Sequence, residues 1–390
     1  MEFARLSVVP PYVFAMVEAE KTRLRAAGHD VIDFGLGNPD QPTPTPIVDR
    51  LVEQARIGAN HRYTVSKGIQ PLREAVCRWY KRRYDVDLDP NTEAVVTLGV
   101  KEGLAHLMLV TVRGGDAVLV PSPSYPIHVF AGPIAGAVNA LYPIGPGRDH
   151  MADIAKAFEA THPRPKVIVT CFPHNPTSAT VSLDFFKELV AFAKKKNVLV
   201  VQDLAYADMV FEGDGRAPSI LQVEGAKSHC VEFFSMSKSY NMPGWRVGFC
   251  VGNAEVVGAL SHIKTYMDYG HFGPIQLAAA WALDNGDAFA KDIRDVYVSR
   301  AGPLVKGLNA IGWPVEPPRG TMFLWAPIPE KFKAEGSFAF AKRLLNEAHV
   351  AVSPGAGFGI EGDGYVRFSF IEDEPRVNEA CARIARVLKG

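Results

Sequence analysis

Short apolar runs alternate with longer amphipathic stretches between residues 94 and 252. The runs are rich in β-branched residues and apolar on both faces, which is typical of strands buried in a parallel sheet. The predicted strands are Ala94–Leu98, Ala117–Val120, Lys166–Phe172, Val198–Gln202, Val231–Phe234 and Val247–Val251. Helical spacing separates them at Leu104–Val112, Leu183–Lys196 and Ala254–Met267. The pattern predicts an α/β fold with a mostly parallel sheet covered by helices on both sides.

The pattern changes after Asp287. A long charged helical stretch runs to about Ala310, and the predicted elements beyond it are a strand at Met322–Ala326, a helix at Phe338–Ala348, a strand at Tyr365–Phe370 and a helix from Pro375. This mixture predicts a smaller α+β domain beside the first. A single core stops growing near about 250–300 residues. We therefore divide the 390 residues into an N-terminal arm that contributes to the small domain (1–45), a large domain (46–286), and a linking helix with the small domain (287–390).

The charge balance narrows the classes of function. Lys and Arg number 42, Asp and Glu number 42, and the formal net charge is +0. The chain therefore lacks the general electrostatic attraction that nucleic-acid binders use, and it is poorly suited to an anionic membrane surface. Hydrophobic residues make up 47% and charged residues 22%, values that exclude disorder.

The N-terminus and the cysteines indicate a cytoplasmic protein. Pro10-Pro11 interrupts the first apolar stretch, no small-residue cleavage site follows, and no apolar run approaches the about 18–20 residues of a membrane span. We interpret the five dispersed cysteines as small hydrophobic residues in a reducing compartment, rather than as disulfides or metal ligands. They are Cys77, Cys171, Cys230, Cys250 and Cys381.

The segment Gly357-Phe358-Gly359-Ile360-Glu361-Gly362 matches the GxGxxG pattern of dinucleotide-binding proteins. In that motif the glycine turn opens a helix whose N-terminus holds the pyrophosphate. Here Asp363-Gly364 and another predicted strand follow instead. We therefore interpret the segment as a flexible turn.

Residues with chemical potential follow the carboxyl ends of the predicted strands, where open parallel sheets bind ligands. The first strand leads into a glycine turn that opens a helix, a structure suited to phosphate. Taken singly, each residue also has a structural explanation, such as loop packing, a turn before proline or a helix cap. The residues are Gly99-Val100-Lys101, Tyr125, Asn175-Pro176-Thr177, Asp203, Tyr206, Ser235, Ser237, Lys238 and Arg246.

Together these groups are what a pyridoxal phosphate enzyme requires. A lysine is the amine that forms a Schiff base with the cofactor aldehyde. A carboxylate beside the pyridine nitrogen keeps that nitrogen protonated, so that the ring accepts the electrons of a carbanion. Arginine and hydroxyl groups hold a phosphate dianion. The sequence therefore predicts a pyridoxal 5'-phosphate site that contains Lys238 and Asp203.

From Phe34-Gly35-Leu36-Gly37-Asn38-Pro39 to the carboxy-terminus, the chain resembles the pyridoxal-phosphate-dependent, fold-type I aminotransferases of class I/II. The segment Ser235–Arg246, which reads SMSKSYNMPGWR, most resembles the alanine (glutamate–pyruvate) aminotransferase subgroup, near the LL-diaminopimelate enzymes. Asn175-Pro176-Thr177, the pair Asp203 and Tyr206, and the late Arg367 support the resemblance. It implies a large domain with a mostly parallel sheet and a smaller α+β domain.

The resemblance also implies a role for each matching residue. Lys238 would form the Schiff base and act as the general base, Asp203 would pair with the pyridinium nitrogen, and Tyr125 would stack on the ring. Asn175 and Tyr206 would contact the ring hydroxyl of the cofactor. The phosphate ligands would be Val100, Lys101, Ser235, Ser237 and Arg246. The resemblance also implies a homodimer with shared active sites, in which Tyr63 of the second subunit would reach the phosphate.

Substrate binding is implied in the same way. Arg367 matches the arginine that grips the α-carboxylate, for which its planar fork is better suited than lysine. Gly37 and Asn175 match positions close to the bound substrate. The N-terminal segment and the small domain would close over the site and exclude water.

Two departures from the family bear on the substrate. His174 stands where the subgroup often has serine, and it leaves the site unaffected only if it points outward. The stretch Tyr269–Pro274 lacks the arginine that dicarboxylate-selective enzymes often bring from the partner subunit, which favours a small side chain such as that of alanine. His271 could contact glutamate, although packing is the favoured interpretation.

We therefore expect an aminotransferase that moves an amino group between an L-amino acid, foremost alanine, and a 2-oxo acid (2-oxoglutarate or pyruvate) by a ping-pong mechanism. The alternatives are an aminotransferase for LL-diaminopimelate, aspartate or methionine, and a pyridoxal-phosphate-dependent C–S lyase. A non-catalytic binding module that retains the fold is a further alternative. The intact combination of Lys238, Asp203 and Arg246 argues against it.

Overall fold

The computed structural model of the chain describes residue 3, residues 8 and 9, and residues 13–389. Pro10-Pro11 lies outside the described residues. The described helices are α1 (Val13–Ala26), α2 (Thr45–Ala55), α3 (Gln70–Tyr84), α4 (Val100–Thr111), α5 (Pro126–Ala135), α6 (His150–Ala160), α7 (Leu183–Lys196), α8 (Met236–Ser239), α9 (Ala254–Met267), α10 (Gly273–Asn285), α11 (Asp287–Ala310), α12 (Gly336–Glu347) and α13 (Glu374–Lys389). None of these helices is both long enough and apolar enough to span a membrane.

The strands of the described residues form three sheets. They are β1 (Ile32–Asp33), β2 (Ala94–Thr97), β3 (Ala117–Ser122), β4 (Val138–Pro143), β5 (Val167–Cys171), β6 (Leu199–Asp203), β7 (Cys230–Ser235), β8 (Gly248–Gly252), β9 (Phe323–Pro327), β10 (Val350–Ala351), β11 (Ser353–Pro354) and β12 (Tyr365–Ser369). The largest sheet has seven strands in the order β2-β8-β7-β6-β5-β3-β4. Its strands are parallel except β8, which runs antiparallel to both of its neighbours.

All six strands predicted between residues 94 and 252 belong to this sheet. Its seventh strand, β4, was missed because it forms an edge. Val138 is 59% exposed there and Leu141 is also exposed, so β4 lacks the continuous apolar run of a buried strand. Helix α4 begins at Val100, four residues before the helix predicted from Leu104, because its first turn includes the polar residues after Gly99.

Helices cover both faces of the seven-stranded sheet, as the sequence predicted. One hydrophobic core combines residues of α2, α3, α6, α7 and α10 with one face of the strands, and a second core combines α4, α5 and α9 with the other face. Successive side chains of β7 point to opposite faces of the sheet, so that Phe234 packs in the first core and Phe233 in the second. In the first core the rings of Trp79 and Phe234 lie 4.6 Å apart between their centroids.

The segment after residue 287 forms a third hydrophobic core. The antiparallel sheet β11-β12-β9 packs there with α11, α12 and α13, around Trp313, Phe340 and Phe368. Near the N-terminus, β1 pairs in parallel with β10 through Ile32 and Val350. The N-terminal segment and the C-terminal part of the chain are therefore hydrogen-bonded to each other.

The sheet topology brings the predicted site residues to one edge. Strands β2, β3, β5, β6 and β7 are mutually parallel, so their carboxyl ends share that edge. Because β8 is antiparallel, it begins where its neighbours end, and Arg246, which precedes it, joins the same edge. The GxGxxG segment lies in two short 3-10 turns, Gly355–Phe358 and Ile360–Gly362, and leads into β12.

Candidate active site

A cavity of about 320 Å³ opens at the carboxyl edge of the seven-stranded sheet. Twelve of the thirteen residues predicted for the site line it. They are Gly37, Val100, Lys101, Tyr125, Asn175, Asp203, Tyr206, Ser235, Ser237, Lys238, Arg246 and Arg367. The thirteenth, Tyr63, lies outside this lining with 86% of its surface exposed, where its ring packs 4.8 Å from that of Tyr269.

Lys238 lies on α8, a single turn that begins directly after β7. The Ser235 hydroxyl caps this turn by accepting a hydrogen bond from the Ser237 N–H at 3.2 Å. The Lys238 Nζ donates to the Gly37 carbonyl at 2.7 Å. Burial, followed by the positive charges of Arg367 and Arg246, lowers the pKa of Lys238 to about 7. Near neutral pH a large fraction of this lysine is therefore the nucleophilic free amine.

Asp203 is the last residue of β6, and each of its carboxylate oxygens accepts a hydrogen bond. Its Oδ1 accepts the Ala205 N–H at 3.0 Å, and its Oδ2 accepts His128 Nε2–H at 2.8 Å. The Nδ1 of His128 lies 2.8 Å from the Ser124 hydroxyl. These bonds fix the plane of a buried carboxylate at the base of the cavity.

His128 is a site residue that the sequence reasoning missed. It lines the cavity and is almost fully buried. A signal for it exists in the sequence, because Ser124 and His128 are four residues apart across the start of α5, a spacing that brings side chains together.

Arg367 lies on β12, the central strand of the three-stranded sheet, and is buried. Its Nη1 donates to Asn175 Oδ1 at 2.8 Å, and its Nη2 lies 3.3 Å from the Ser353 hydroxyl. The guanidinium carbon lies 3.9 Å from the ring centroid of Phe323 and 4.7 Å from that of Phe358. Sequence reasoning missed both rings, because only the pairing of β12 with its neighbours brings them to Arg367.

Gly37 permits a close approach to this arginine. A Cβ atom at residue 37 would lie 2.5 Å from the Phe323 ring and 3.5 Å from Arg367 Nη2. Any larger residue would displace the aromatic ring that covers the guanidinium. The backbone of residue 37 is therefore placed between Lys238, which its carbonyl binds, and Arg367.

The opposite end of the cavity combines a helix N-terminus with an arginine. Gly99 has φ +81° and precedes α4, whose first residues, Val100 and Lys101, line the cavity. A Cβ atom at Gly99 would lie 2.4 Å from Arg246 Nη2, so the glycine leaves room for the guanidinium. The first N–H groups of a helix have no intrahelical acceptor, and they favour an anion. This end of the cavity can hold a phosphate.

Two histidines that the sequence raised lie outside the cavity lining. His174 does not point outward: it is fully buried, and its Nδ1 lies 2.8 Å from the Thr177 hydroxyl, which closes the turn. Burial holds the pKa of His174 well below its ordinary value, so the ring is neutral. His271 is also buried and donates from Nε2 to the Arg246 carbonyl at 2.6 Å. It contacts the backbone of Arg246 and does not line the cavity.

Among the residues that the structure describes, two groups of side chains have the residue types of metal ligands. The potential ligand atoms of His128, Cys171 and Asp203 lie within 4.8 Å of one another. The first and third already share a hydrogen bond, and burial raises the pKa of the Cys171 thiol well above its ordinary value. In the second group, Glu102, His106 and Asp268, the ammonium of Lys264 already pairs with both carboxylates.

Comparison with known proteins identifies the family. Residues 29–384 match the family of aminotransferases of class I and II. The chain is 50% identical over 388 residues to the glutamate-pyruvate aminotransferase AlaC of Escherichia coli (strain K12), covering 100% of this chain and 94% of that protein. It is 40% identical over 381 residues to the LL-diaminopimelate aminotransferase of Oleidesulfovibrio alaskensis, covering 98% and 97%.

A solved structure agrees with these relatives. Substrate-bound BacF from Bacillus subtilis superposes with a TM-score of 0.93 at 32% identity, over 99% of this chain and 98% of that chain. The chain therefore belongs to the class I and II aminotransferases. The predicted family, its α/β fold and its transaminase activity are confirmed.

Proposed function

We propose that this aminotransferase uses pyridoxal 5'-phosphate to move the amino group of L-alanine to 2-oxoglutarate by a ping-pong mechanism. The observation that carries the proposal is one cavity lined by a buried lysine, a buried carboxylate and two arginines: Lys238, Asp203, Arg246 and Arg367. Arg246 at the phosphate end and Arg367 at the substrate end account for both arginines of the described lining. This leaves no arginine of the described lining for a second substrate carboxylate, which favours the small side chain of alanine as the amino donor; the distal carboxylate of 2-oxoglutarate is then accepted by a group other than a lining arginine. The 50% identity to a glutamate-pyruvate aminotransferase supports the same substrates.

The residues present fit the cofactor. The volume of about 320 Å³ is within the range of small-molecule sites, roughly 300–1,000 Å³. Asp203 at the base suits a protonated pyridine nitrogen, and the turn at Gly99, which a Cβ atom would fill, leaves the start of α4 and Arg246 open to a phosphate. When bound, pyridoxal phosphate supplies an aldehyde that takes up amines and a ring that accepts the electrons released at the substrate Cα.

Proton transfer in this mechanism belongs to Lys238. The carbonyl of Gly37 holds its Nζ inside the cavity, and the lowered pKa of about 7 makes the neutral amine available. With the cofactor bound, this amine would take a proton from the substrate Cα and hold it inside the cavity for the return transfer. Asp203, oriented by His128 and the Ala205 N–H, would hold the protonated ring nitrogen of the cofactor.

Substrate orientation in the proposal belongs to Arg367 and Asn175. The fork of Arg367 binds the α-carboxylate, and the amide oxygen of Asn175 holds one side of that fork at 2.8 Å. Phe323 and Phe358 cover the guanidinium and exclude water from it. The remaining cofactor contacts of the proposal are Tyr125 on the ring, Tyr206 at the ring hydroxyl, and Val100, Lys101, Ser235 and Ser237 at the phosphate.

The proposal includes a homodimer with shared active sites. Tyr63 is 86% exposed and neighbours the exposed side chains of Val65 and Tyr269, an apolar patch that suits a second copy of the chain. In that dimer Tyr63 would reach the phosphate of the other subunit.

The proposal also keeps the division into domains and the location. The pairing of β1 with β10 supports the grouping of the N-terminal arm (1–45) with the linking helix and small domain (287–390). The large domain (46–286) contains the seven-stranded sheet. A cytoplasmic location is supported by the five cysteines, all free and four of them buried.

The first experiment is the absorption spectrum of the purified protein before and after addition of L-alanine. We expect a visible cofactor band that bleaches with L-alanine and returns with 2-oxoglutarate. Bleaching only by LL-diaminopimelate, aspartate or methionine would assign a different amino donor, for which the 40% identity to an LL-diaminopimelate aminotransferase is the supporting observation. Release of ammonia and a thiol from a cysteine-type substrate, with the band retained, would indicate a C–S lyase. A Lys238→Ala variant that keeps full turnover would exclude the catalytic role of Lys238.

A further inference from the structure

Lys264 is a completely buried lysine that the proposed mechanism does not use. It lies on α9, outside the cavity, and its side chain is 0% exposed. Its Nζ lies 3.1 Å from Glu102 Oε1 and 2.9 Å from Asp268 Oδ2. A buried charge is costly unless it is paired, so the position of this ammonium is dictated by the two carboxylates.

Glu102 connects Lys264 to the start of α4. It lies in the first turn of that helix, and its Oε2 accepts the Leu98 N–H at 2.7 Å. The bond runs back across Gly99 and closes the turn from which Val100 and Lys101 enter the cavity. A carboxylate at this helix end would also repel a bound phosphate, and the ammonium of Lys264 offsets its charge.

Asp268 connects Lys264 to Arg246. Its Oδ1 accepts the Gly270 N–H at 2.7 Å, which shapes the loop 268–271. This loop carries His271, whose Nε2 donates to the Arg246 carbonyl at 2.6 Å. Arg246 has φ +60°, a left-handed conformation that costs free energy for a residue other than glycine and that surrounding contacts must hold.

The same loop holds the segment next to Tyr63. The Ser66 hydroxyl donates to the Asp268 carbonyl at 2.8 Å, and the Thr64 hydroxyl lies 3.1 Å from the Tyr269 carbonyl and 3.0 Å from the His271 carbonyl. The loop is thus bonded to two of the segments that carry phosphate ligands in the proposed function.

We propose that Lys264 is a positioning residue for the cofactor phosphate. Its ammonium ties the N-terminus of α4 to the loop 268–271, and thereby fixes the helix amides and the backbone of Arg246 relative to each other. The inference rests on the proposed function, because the phosphate is that of pyridoxal phosphate. Without the ammonium, Glu102 and Asp268 repel each other, and the turn before α4 moves away from Arg246.

The test is an equilibrium titration of the full chain, freed of cofactor, with two probes. Pyridoxal phosphate carries the phosphate, and pyridoxal lacks it. For Lys264→Met, which keeps the length of the side chain without its charge, we expect the dissociation constant of pyridoxal phosphate to rise at least tenfold and that of pyridoxal to change less than twofold. The matched control is Lys291→Met, which removes an exposed lysine from its i,i+4 pair with Asp295 and is expected to change neither constant.

Equal losses for the two probes, or an unchanged affinity for pyridoxal phosphate with a lowered melting temperature, would show a purely structural lysine and overturn the inference. If Lys264→Met does not fold, Asp268→Asn replaces it, because it leaves the Lys264–Glu102 pair in place; the same selective loss is expected, about threefold or more, and an unchanged constant overturns the inference. A wild-type protein that binds no pyridoxal phosphate overturns the proposed function and this inference together. Normal wild-type binding with an unaffected variant overturns this inference alone.

Discussion

The guanidinium carbon of Arg367 lies over the ring of Phe323, 3.9 Å from its centroid. Phe358 lies 4.7 Å from the same carbon, and Asn175 accepts a hydrogen bond from Nη1. Cation–π contacts with desolvated arginine contribute about 1–2 kcal/mol each. The guanidinium of Arg367, to which the proposed function assigns the substrate carboxylate, is therefore oriented by its neighbours before any substrate arrives.

Phe323→Leu should weaken substrate binding more than it slows the chemistry. Loss of about 1 kcal/mol of orientation corresponds to about a fivefold rise in KM for the amino acid, with kcat changed less than twofold. Steady-state kinetics with L-alanine measures both. Phe332→Leu is the matched control, because Phe332 makes a similar contact with Arg343 elsewhere in the fold. An unchanged KM in Phe323→Leu would contradict the role of the ring.

Lys238 should react with aldehydes according to its lowered pKa. Because burial and the charges of Arg367 and Arg246 disfavour the ammonium, the neutral amine appears as the pH rises through about 7. The rate at which cofactor-free protein takes up pyridoxal phosphate should rise over the same interval. Stopped-flow absorbance from pH 6 to 9 gives the midpoint.

The Arg367→Gln variant tests whether the charge of Arg367, in addition to burial, lowers the pKa of Lys238. Removal of one positive charge makes the ammonium more stable, so the midpoint of the uptake rate should move to higher pH. The variant keeps the phosphate end of the cavity unchanged. A midpoint that stays in place or moves to lower pH would show that the charge of Arg367 does not act on Lys238.

The strand-end residues could be predicted from sequence because topology alone determines their position. Asp203, Asn175 and Lys238 follow neighbouring parallel strands, so any correct assignment of the strands brings them to one edge. Phe323 and Phe358 could not be predicted, because their contact with Arg367 depends on how β9, β11 and β12 pair and on how that small sheet meets the large one.

The segment from Gly357 to Gly362 is a second case in which the sequence predicts the local structure but not the contacts with distant segments. The sequence identified it correctly as a turn that precedes a strand, and not as a turn that opens a helix. It gave no indication that Phe358, inside that turn, covers Arg367, or that its backbone carbonyl accepts the Ser124 N–H at 2.7 Å. Such contacts between distant segments have no local pattern.

His128→Phe should reduce kcat by about tenfold, less than the roughly 10²–10⁴-fold contribution of a group that transfers the proton itself, because His128 acts through Asp203. Phenylalanine fills the space but leaves Asp203 Oδ2 without the donor that lies 2.8 Å away. Without that hydrogen bond the carboxylate is less firmly oriented, and it then pairs less strongly with a cationic ring nitrogen. Steady-state kinetics measures the loss of kcat, and the visible spectrum of the variant reports the weaker pairing with the ring nitrogen. Wild-type kcat with an unchanged spectrum would exclude this role for His128.

Glu232 should make the stability of the fold depend on pH. It is fully buried on β7, where it accepts hydrogen bonds from Tyr80 Oη at 2.8 Å, Ser219 Oγ at 2.6 Å and the Ile220 N–H at 3.0 Å. Burial raises its pKa from 4.5 to about 7 despite these bonds. Between those two values the folded protein retains a proton that the unfolded chain releases. The free energy of unfolding therefore falls as pH rises, by about 3 kcal/mol once pH exceeds 7.

Glu232→Gln tests this, because glutamine keeps an acceptor and cannot ionise. The difference in unfolding free energy between wild type and variant should shift by about 3 kcal/mol in favour of the variant between pH 4.5 and pH 8. Urea denaturation at several pH values measures the shift, and the comparison with wild type cancels the other titrating groups. Glu224→Gln, at an exposed position nearby, is the control and should show no such shift. A wild-type-minus-variant difference that is constant with pH would mean that Glu232 has the same pKa in the folded and unfolded protein, with the hydrogen bonds from Tyr80 and Ser219 balancing the effect of burial.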